Sequence, residues 1–123
     1  MAERYARGPA ENPSFLGYRW TTPWSYVPTM SILHIEHPIT DFETWAAAFN
    51  RFSDARHEAG VRSHRVLRPV DDPCFVVVDL EFDKDEAAVA FREFLQTVVW
   101  AVPANSPALA GTPKAVVLRA EPV

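Results

Sequence analysis

Three side chains have the types and spacing for acid–base work: His34, His64 and Asp79. A histidine hydrogen-bonded to a carboxylate is held in one orientation and its protonated form is favoured, which suits proton transfer near neutral pH. Such a pair can deprotonate a phenol or a carbon acid. Arg62 or Arg68 can hold a substrate anion beside it. Phe75, Glu81 and Trp100 complete the candidate ligand contacts, Trp100 either closing a cavity or simply packing. The competing reading of the same charges is a ladder of cross-strand ion pairs lining a wet interface, each worth ~0.2–1 kcal/mol.

Other chemistries find less support. In His34-Ile35-Glu36-His37 the two histidines point to opposite faces of a strand and cannot chelate together. His34 and Glu36 make two ligands, and a third would have to come from a neighbouring strand, so no metal is expected. There is no phosphate-cradling glycine loop and no serine-nucleophile signature. Cys74 is the one cysteine, so no intramolecular disulfide is possible and a reducing cytoplasm is the default. It alternates with apolar neighbours and reads as a small buried hydrophobe. His57, near a helix end, reads as a surface residue favoured by the helix dipole.

The elements that must position these residues centre on 61–82, two strands joined by a turn at Asp71-Asp72-Pro73. Cys74, Val76, Val78, Leu80 and Phe82 alternate with Phe75, Val77, Asp79 and Glu81, so one face is wholly apolar. With a loop at 70–73, Pro69 sits opposite Cys74, His64 opposite Asp79 and Arg62 opposite Glu81. Val61, Ser63, Arg65 and Leu67 then share the apolar face. Opposite charges paired on one face favour this register, and a slip of one residue sends His64 and Arg62 to the core side.

Before the hairpin, 31–37 reads as a strand ended by Pro38. Residues 41–58 read as a helix with Thr40 or Asp41 as N-cap, Glu43 in the first turn and Gly60 beyond the end. Phe42, Trp45, Ala46, Phe49 and Phe52 form its apolar stripe, on which Trp45 reads as core. After the hairpin, 83–100 reads as a second helix with Asp83 at the N-cap and Ala87, Phe91, Phe94, Leu95 and Val98 buried. A loop follows, with a short turn of helix expected at 107–110, and 115–120 is the last strand. The order βαββαβ with two right-handed crossovers predicts an α+β, ferredoxin-like fold, a four-stranded antiparallel sheet with two helices on one face.

The chain of 123 residues suffices for one domain with a core. A net charge of −4 gives no reason to expect a nucleic-acid partner. No apolar run reaches the ~20 residues of a membrane helix. Residues 1–29 differ in kind: Pro9, Pro13, Pro23 and Pro28 break any periodicity, and no secretory signal pattern appears. Tyr5, Phe15, Tyr18, Trp20, Trp24 and Tyr26 make the segment too aromatic for a typical disordered tail. It reads either as a flexible extension or as an arm laying its rings on the domain or a partner subunit. Residues 30–123 form the expected domain, and Met30 is a candidate alternative start. The open sheet face mixes apolar and charged residues, which predicts cover by a second copy, a homodimer.

Three stretches, LHIEHPITDFETWAAAF, HRVLRPVDDPCFVVVDLEFD and VWAVPANSPALAGTPKAVVL, make the domain resemble the dimeric α/β-barrel superfamily of the antibiotic-biosynthesis-monooxygenase-like kind. That superfamily includes cofactor-free monooxygenases, polyketide cyclases, lactone isomerases, haem-degrading enzymes and members without a known reaction. The resemblance implies two sheets packed into a barrel, with any ligand between sheet and helices or at the sheet face. Haem-degrading relatives carry a histidine on the second helix, and residues 86–100 contain none, which argues against that activity. The resulting expectation is a small cytoplasmic homodimer that binds an aromatic or polyketide-like ligand in a sheet-face cavity, a monooxygenase or cyclase without cofactor or metal. The alternative is a non-catalytic module whose barrel is only an assembly interface.

Overall fold

The computed structural model describes residues 30–123, and the readings made for 1–29 lie outside them. Ser31–Pro38 form β1, with Ser31, Leu33, Ile35 and His37 buried and the alternate residues half-buried. Phe75–Phe82 form β3 with the same alternation, Val76, Val78, Leu80 and Phe82 buried. Ser63–Leu67 form β2 and Lys114–Arg119 form β4. All pair antiparallel in the order β2-β3-β1-β4, so the two longest strands, each with every second residue buried, are central.

The helices cover the face that carries Leu33, Ile35, Val76, Val78, Leu80 and Phe82, which joins Ala88 and Phe91 in one core. This is the ferredoxin-like α+β fold that the element order predicts.

The first helix is not continuous. Phe42–Arg51 form α1 and Ser53–Glu58 form α2, broken at Phe52 (φ −99°, ψ 19°). Asp41 is the N-cap, its carboxylate accepting from the Thr44 N–H at 2.9 Å. At the break, the Phe49 carbonyl accepts from the Phe52 N–H and from the Arg56 guanidinium, at 3.2 and 2.6 Å. A side chain thereby adds a second donor to the carbonyl at the break. Gly60 follows at φ 96°, a conformation that only glycine adopts without strain.

The second helix also departs from expectation. Asp85–Phe94 form α3, with Lys84 rather than Asp83 at the N-cap position; Asp83 pairs with Arg62 instead. From Leu95 to Val99 the backbone widens into a π-helical turn. The wider turn rotates the apolar stripe by one position, so Val99 is buried and Val98, expected inside, is exposed. A 3₁₀ turn falls at Pro103–Asn105, earlier than the 107–110 turn expected. Beyond it, Thr40 N–H donates to the Ala108 carbonyl at 2.8 Å and Ala110 N–H to the Pro38 carbonyl at 3.2 Å, tying the loop to the end of β1.

Two expectations about the hairpin need correction. The register is shifted by one residue: Ser63 faces Glu81, His64 faces Leu80 and Arg65 faces Asp79. Ser63, Arg65 and Leu67 therefore lie on the open face, and His64 and Val66 on the helix side. The shift costs little because β2 is an edge strand, where a helix-side histidine stays exposed. Charge complementarity survives it, since Arg65 replaces His64 beside Asp79. Cys74 is exposed rather than buried, for it precedes β3 in the turn that Asp72 closes onto the Cys74 N–H at 3.0 Å.

Candidate functional site

Two groups of polar side chains stand out, one on each face of the sheet. On the open face, His34 and Asp79 are directly opposed on β1 and β3. His34 Nδ1 lies 2.7 Å from Asp79 Oδ1, and Nε2 lies 3.0 Å from Glu36 Oε2. Ionised carboxylates only accept, so both ring nitrogens donate and the ring is an imidazolium. Burial opposes that charge, but the hydrogen bonds to Asp79 and Glu36 outweigh it and raise the His34 pKa above 6.5. Arg65 stands 3.7 Å from the other Asp79 oxygen. Val116 and Lys114 of β4 flank His34 and Glu36. In this arrangement neither nitrogen of His34 keeps a free lone pair.

On the other face, a cavity opens between sheet and helices. It offers about 70 Å³ of space that the centre of a water molecule can reach, several times what one water needs. Trp45, Phe49, Phe52, Phe91 and Trp100 supply aromatic walls over a floor of Ile35, Val78 and Leu80. The broken first helix brings Phe49, Phe52 and Arg56 to the cavity, and the π-turn brings Leu95, Val99 and Trp100. Trp45 stacks on Phe49 with ring centroids 4.9 Å apart. Such an apolar concavity with a few polar groups is the usual form of a small-molecule site.

Four polar residues reach this lining: His37, Arg56, Asn105 and Ser106. The last two are committed to structure, with Asn105 Nδ2 donating to the Val98 carbonyl at 2.9 Å and Ser106 Oγ to the Val99 carbonyl at 3.0 Å. His37 is 4% exposed, and its Nδ1 lies 3.0 Å from the Pro38 carbonyl. A carbonyl only accepts, so Nδ1 carries the proton. Burial lowers the His37 pKa against the opposing effect of that bond. The ring is thus neutral at pH 7 with Nε2 as the unprotonated nitrogen, edge-on to Trp100 at 6.2 Å. Arg56 is 7% exposed and its guanidinium lies over the Phe49 ring, 3.6 Å from the centroid.

The monooxygenase from the gene ActVA-Orf6 of Streptomyces coelicolor, solved with nanaomycin D, superposes with a TM-score of 0.55 at 16% identity, over 81% of this chain and 95% of that one. SnoaB, a cofactor-independent oxygenase from Streptomyces nogalater, gives 0.56 at 17% identity, over 77% and 95%. Protein SO0527 from Shewanella oneidensis gives 0.55 at 17%, over 76% and 93%. The chain shares their fold. At such identities the likeness speaks for fold alone, and activity must be argued from the site. No protein-family model and no curated protein matches the sequence.

The structure separates the residues that the sequence groups together. His34 and Asp79 meet as expected, whereas His64 lies on the other face at the sheet edge, its ring 5.4 Å from Phe49. Arg62 is exposed and pairs with Asp83 at 2.6 Å. Arg68 lies over Phe42 at 4.1 Å. Phe75 is half-buried opposite Pro38, and Glu81 accepts from the Ser63 hydroxyl at 2.7 Å. Of the expected ligand contacts, Trp100 alone lines the cavity, which lies beneath the helices and not on the open sheet face. His37 and Arg56 are functional candidates that sequence reasoning passed over. Their signal was phase: His37 follows Leu33 and Ile35, and Arg56 continues the stripe of Trp45, Phe49 and Phe52. Among the described residues no cluster of His, Cys, Asp and Glu suited to a metal ion occurs, and no helix is long and apolar enough to cross a membrane.

Proposed function

We propose that the chain binds a small aromatic, polyketide-like ligand in the cavity between sheet and helices and acts on it as a cofactor-free monooxygenase or cyclase, with His37 as general base. The observation that carries this reading is His37: a buried, neutral imidazole oriented by the Pro38 carbonyl, with Nε2 unprotonated, in an aromatic cavity. A neutral histidine with a free lone pair can accept a proton from a phenol or carbon acid near neutral pH.

The resulting anion is electron-rich and can itself reduce oxygen. With anthrone, the base removes a proton from C10 and the anion passes an electron to O2. The radicals combine with a proton to give a hydroperoxide, and loss of water leaves anthraquinone. Anthrone plus O2 gives anthraquinone plus water, so no outside reductant is needed. Oxygen uptake with anthrone, measured above the protein-free rate, tests this. Protein-dependent uptake that is lost in a folded His37→Phe variant is expected. No protein-dependent uptake with anthrone or simple phenols, or uptake unchanged in the variant, would overturn it.

The proposal includes a homodimer, two open faces packed as a barrel. Leu67, Val116 and Leu118 are 45%, 40% and 44% exposed on that face, beside the His34 ion pairs. A reducing cytoplasm suits the single cysteine with its exposed thiol. A second reading, a module whose barrel only assembles, draws on one observation: both nitrogens of His34 are spent on carboxylates. Here the open-face charges set the register of assembly rather than do chemistry.

A further inference from the structure

We propose that the cavity ligand is an aromatic anion, a carboxylate or phenolate, and that Arg56 is the residue that receives its charge. This rests on the cavity reading above and adds to it the charge of the ligand and the group that selects it.

Arg56 is more than nine-tenths buried and lines the cavity. A guanidinium offers five N–H donors and stays charged in proteins. Among the described residues its guanidinium makes one hydrogen bond, to the Phe49 carbonyl at 2.6 Å. Among the described residues no carboxylate pairs with it; the ion pairs there involve His34, Arg62, Arg65 and Arg119. Contact with the Phe49 ring at 3.6 Å offsets part of the lost hydration, as a cation over an aromatic face does. A buried cation without a counter-ion is otherwise strongly disfavoured.

Bracing the helix break does not require this residue. That takes one donor and no positive charge. A planar cation with unspent donors beside an aromatic cavity matches a planar oxyanion on a ring: the ring packs on Trp45 and Trp100, and the oxyanion takes the guanidinium N–H groups. Nearby, Ser106 Oγ and His37 Nδ1 already donate to backbone carbonyls, and Asn105 gives one of its two N–H groups to another; none of the three brings a positive charge.

The test compares 2-naphthoate with 2-naphthamide, a matched anion and neutral, by tryptophan fluorescence titration of the full chain. The naphthoate should bind roughly tenfold tighter or better, the scale of a hydrogen bond to a charged group. Arg56→Gln should lose the preference, whatever it does to the affinity for the amide. Equal affinities in the wild type, or a preference that persists in Arg56→Gln, would overturn the inference while leaving the cavity reading intact. If neither probe binds, the cavity reading itself falls and this inference with it. Should Arg56→Gln not fold, the Nε–Hε resonance of Arg56 in the wild type decides: a shift with naphthoate but not with amide is expected, and its absence refutes the assignment.

Discussion

His34 and Asp79 face each other across the central strand pair, with Nδ1 2.7 Å from the carboxylate. The geometry fixes a sign. Burial works against the charged ring, the bonds to Asp79 and Glu36 work for it, and the bonds prevail. The folded state therefore holds this proton above the ordinary value of 6.5. The stability it contributes is fully present below 6.5 and is lost as pH rises through the raised folded value. Asp79→Asn should bring the His34 pKa down, followed by the ring proton shifts in an NMR titration. A pKa that does not move would mean that the pair does not form in solution.

His37 has the opposite sign. Its folded pKa lies below 6.5 because burial outweighs the bond to Pro38. Between the folded value and 6.5 the unfolded chain binds more protons, so stability falls as pH drops through that window. His37→Phe removes the titration. Urea midpoints at several pH values should show a shallower acid-side loss in the variant than in the wild type, and the slope is the readout because the Phe ring also changes packing. Equal slopes would show that His37 does not enter folding as a buried neutral ring.

The contrast between these histidines shows how far the sequence could be read. Alternation from Val76 to Phe82 and the stripe of Trp45, Phe49 and Phe52 determine the two layers, because burial imposes those periods. The register of β2 was not legible. Ser63, His64 and Arg65 are all polar, so neither face of this edge strand is marked, and ion-pair energies are too small to choose. The cavity was not legible either. Phase tells that His37 and Arg56 point beneath the helices, but not whether that space is filled. Whether it is depends on the break at Phe52 and the π-turn after Phe94, neither of which leaves a periodic trace.

Self-association through the open face predicts a clear response to charge. Leu118 is half-exposed beside Ile32 on that face. In a monomer, Leu118→Lys is a surface change worth little, about 0.5 kcal/mol or less. In a barrel of two sheets it buries an unpaired ammonium in each copy. Sedimentation velocity should find a wild-type dimer and a Leu118→Lys monomer with an unchanged circular dichroism spectrum. A monomeric wild type, or a variant that still dimerises, would remove the barrel from the proposed function.

The Pro38 carbonyl is the point on which the proposed base turns, for it holds both His37 Nδ1 at 3.0 Å and the Ala110 N–H at 3.2 Å. Gly111 lies against the ring of the same proline, and a Cβ there would stand 2.8 Å from Pro38 Cγ. Gly111→Ala must therefore displace the proline or the loop, and His37 loses its anchor although its own side chain is untouched. Gly60 provides the control. At φ 96° an alanine is strained, by about 1–2 kcal/mol, yet nothing lies within 4 Å of its Cβ. Both variants should lower the melting temperature. Only Gly111→Ala should also move the His37 ring resonances and reduce oxygen uptake with anthrone, since it alone acts on the carbonyl that fixes the tautomer. Identical His37 spectra in the two variants would mean that the Pro38 contact does not orient the ring.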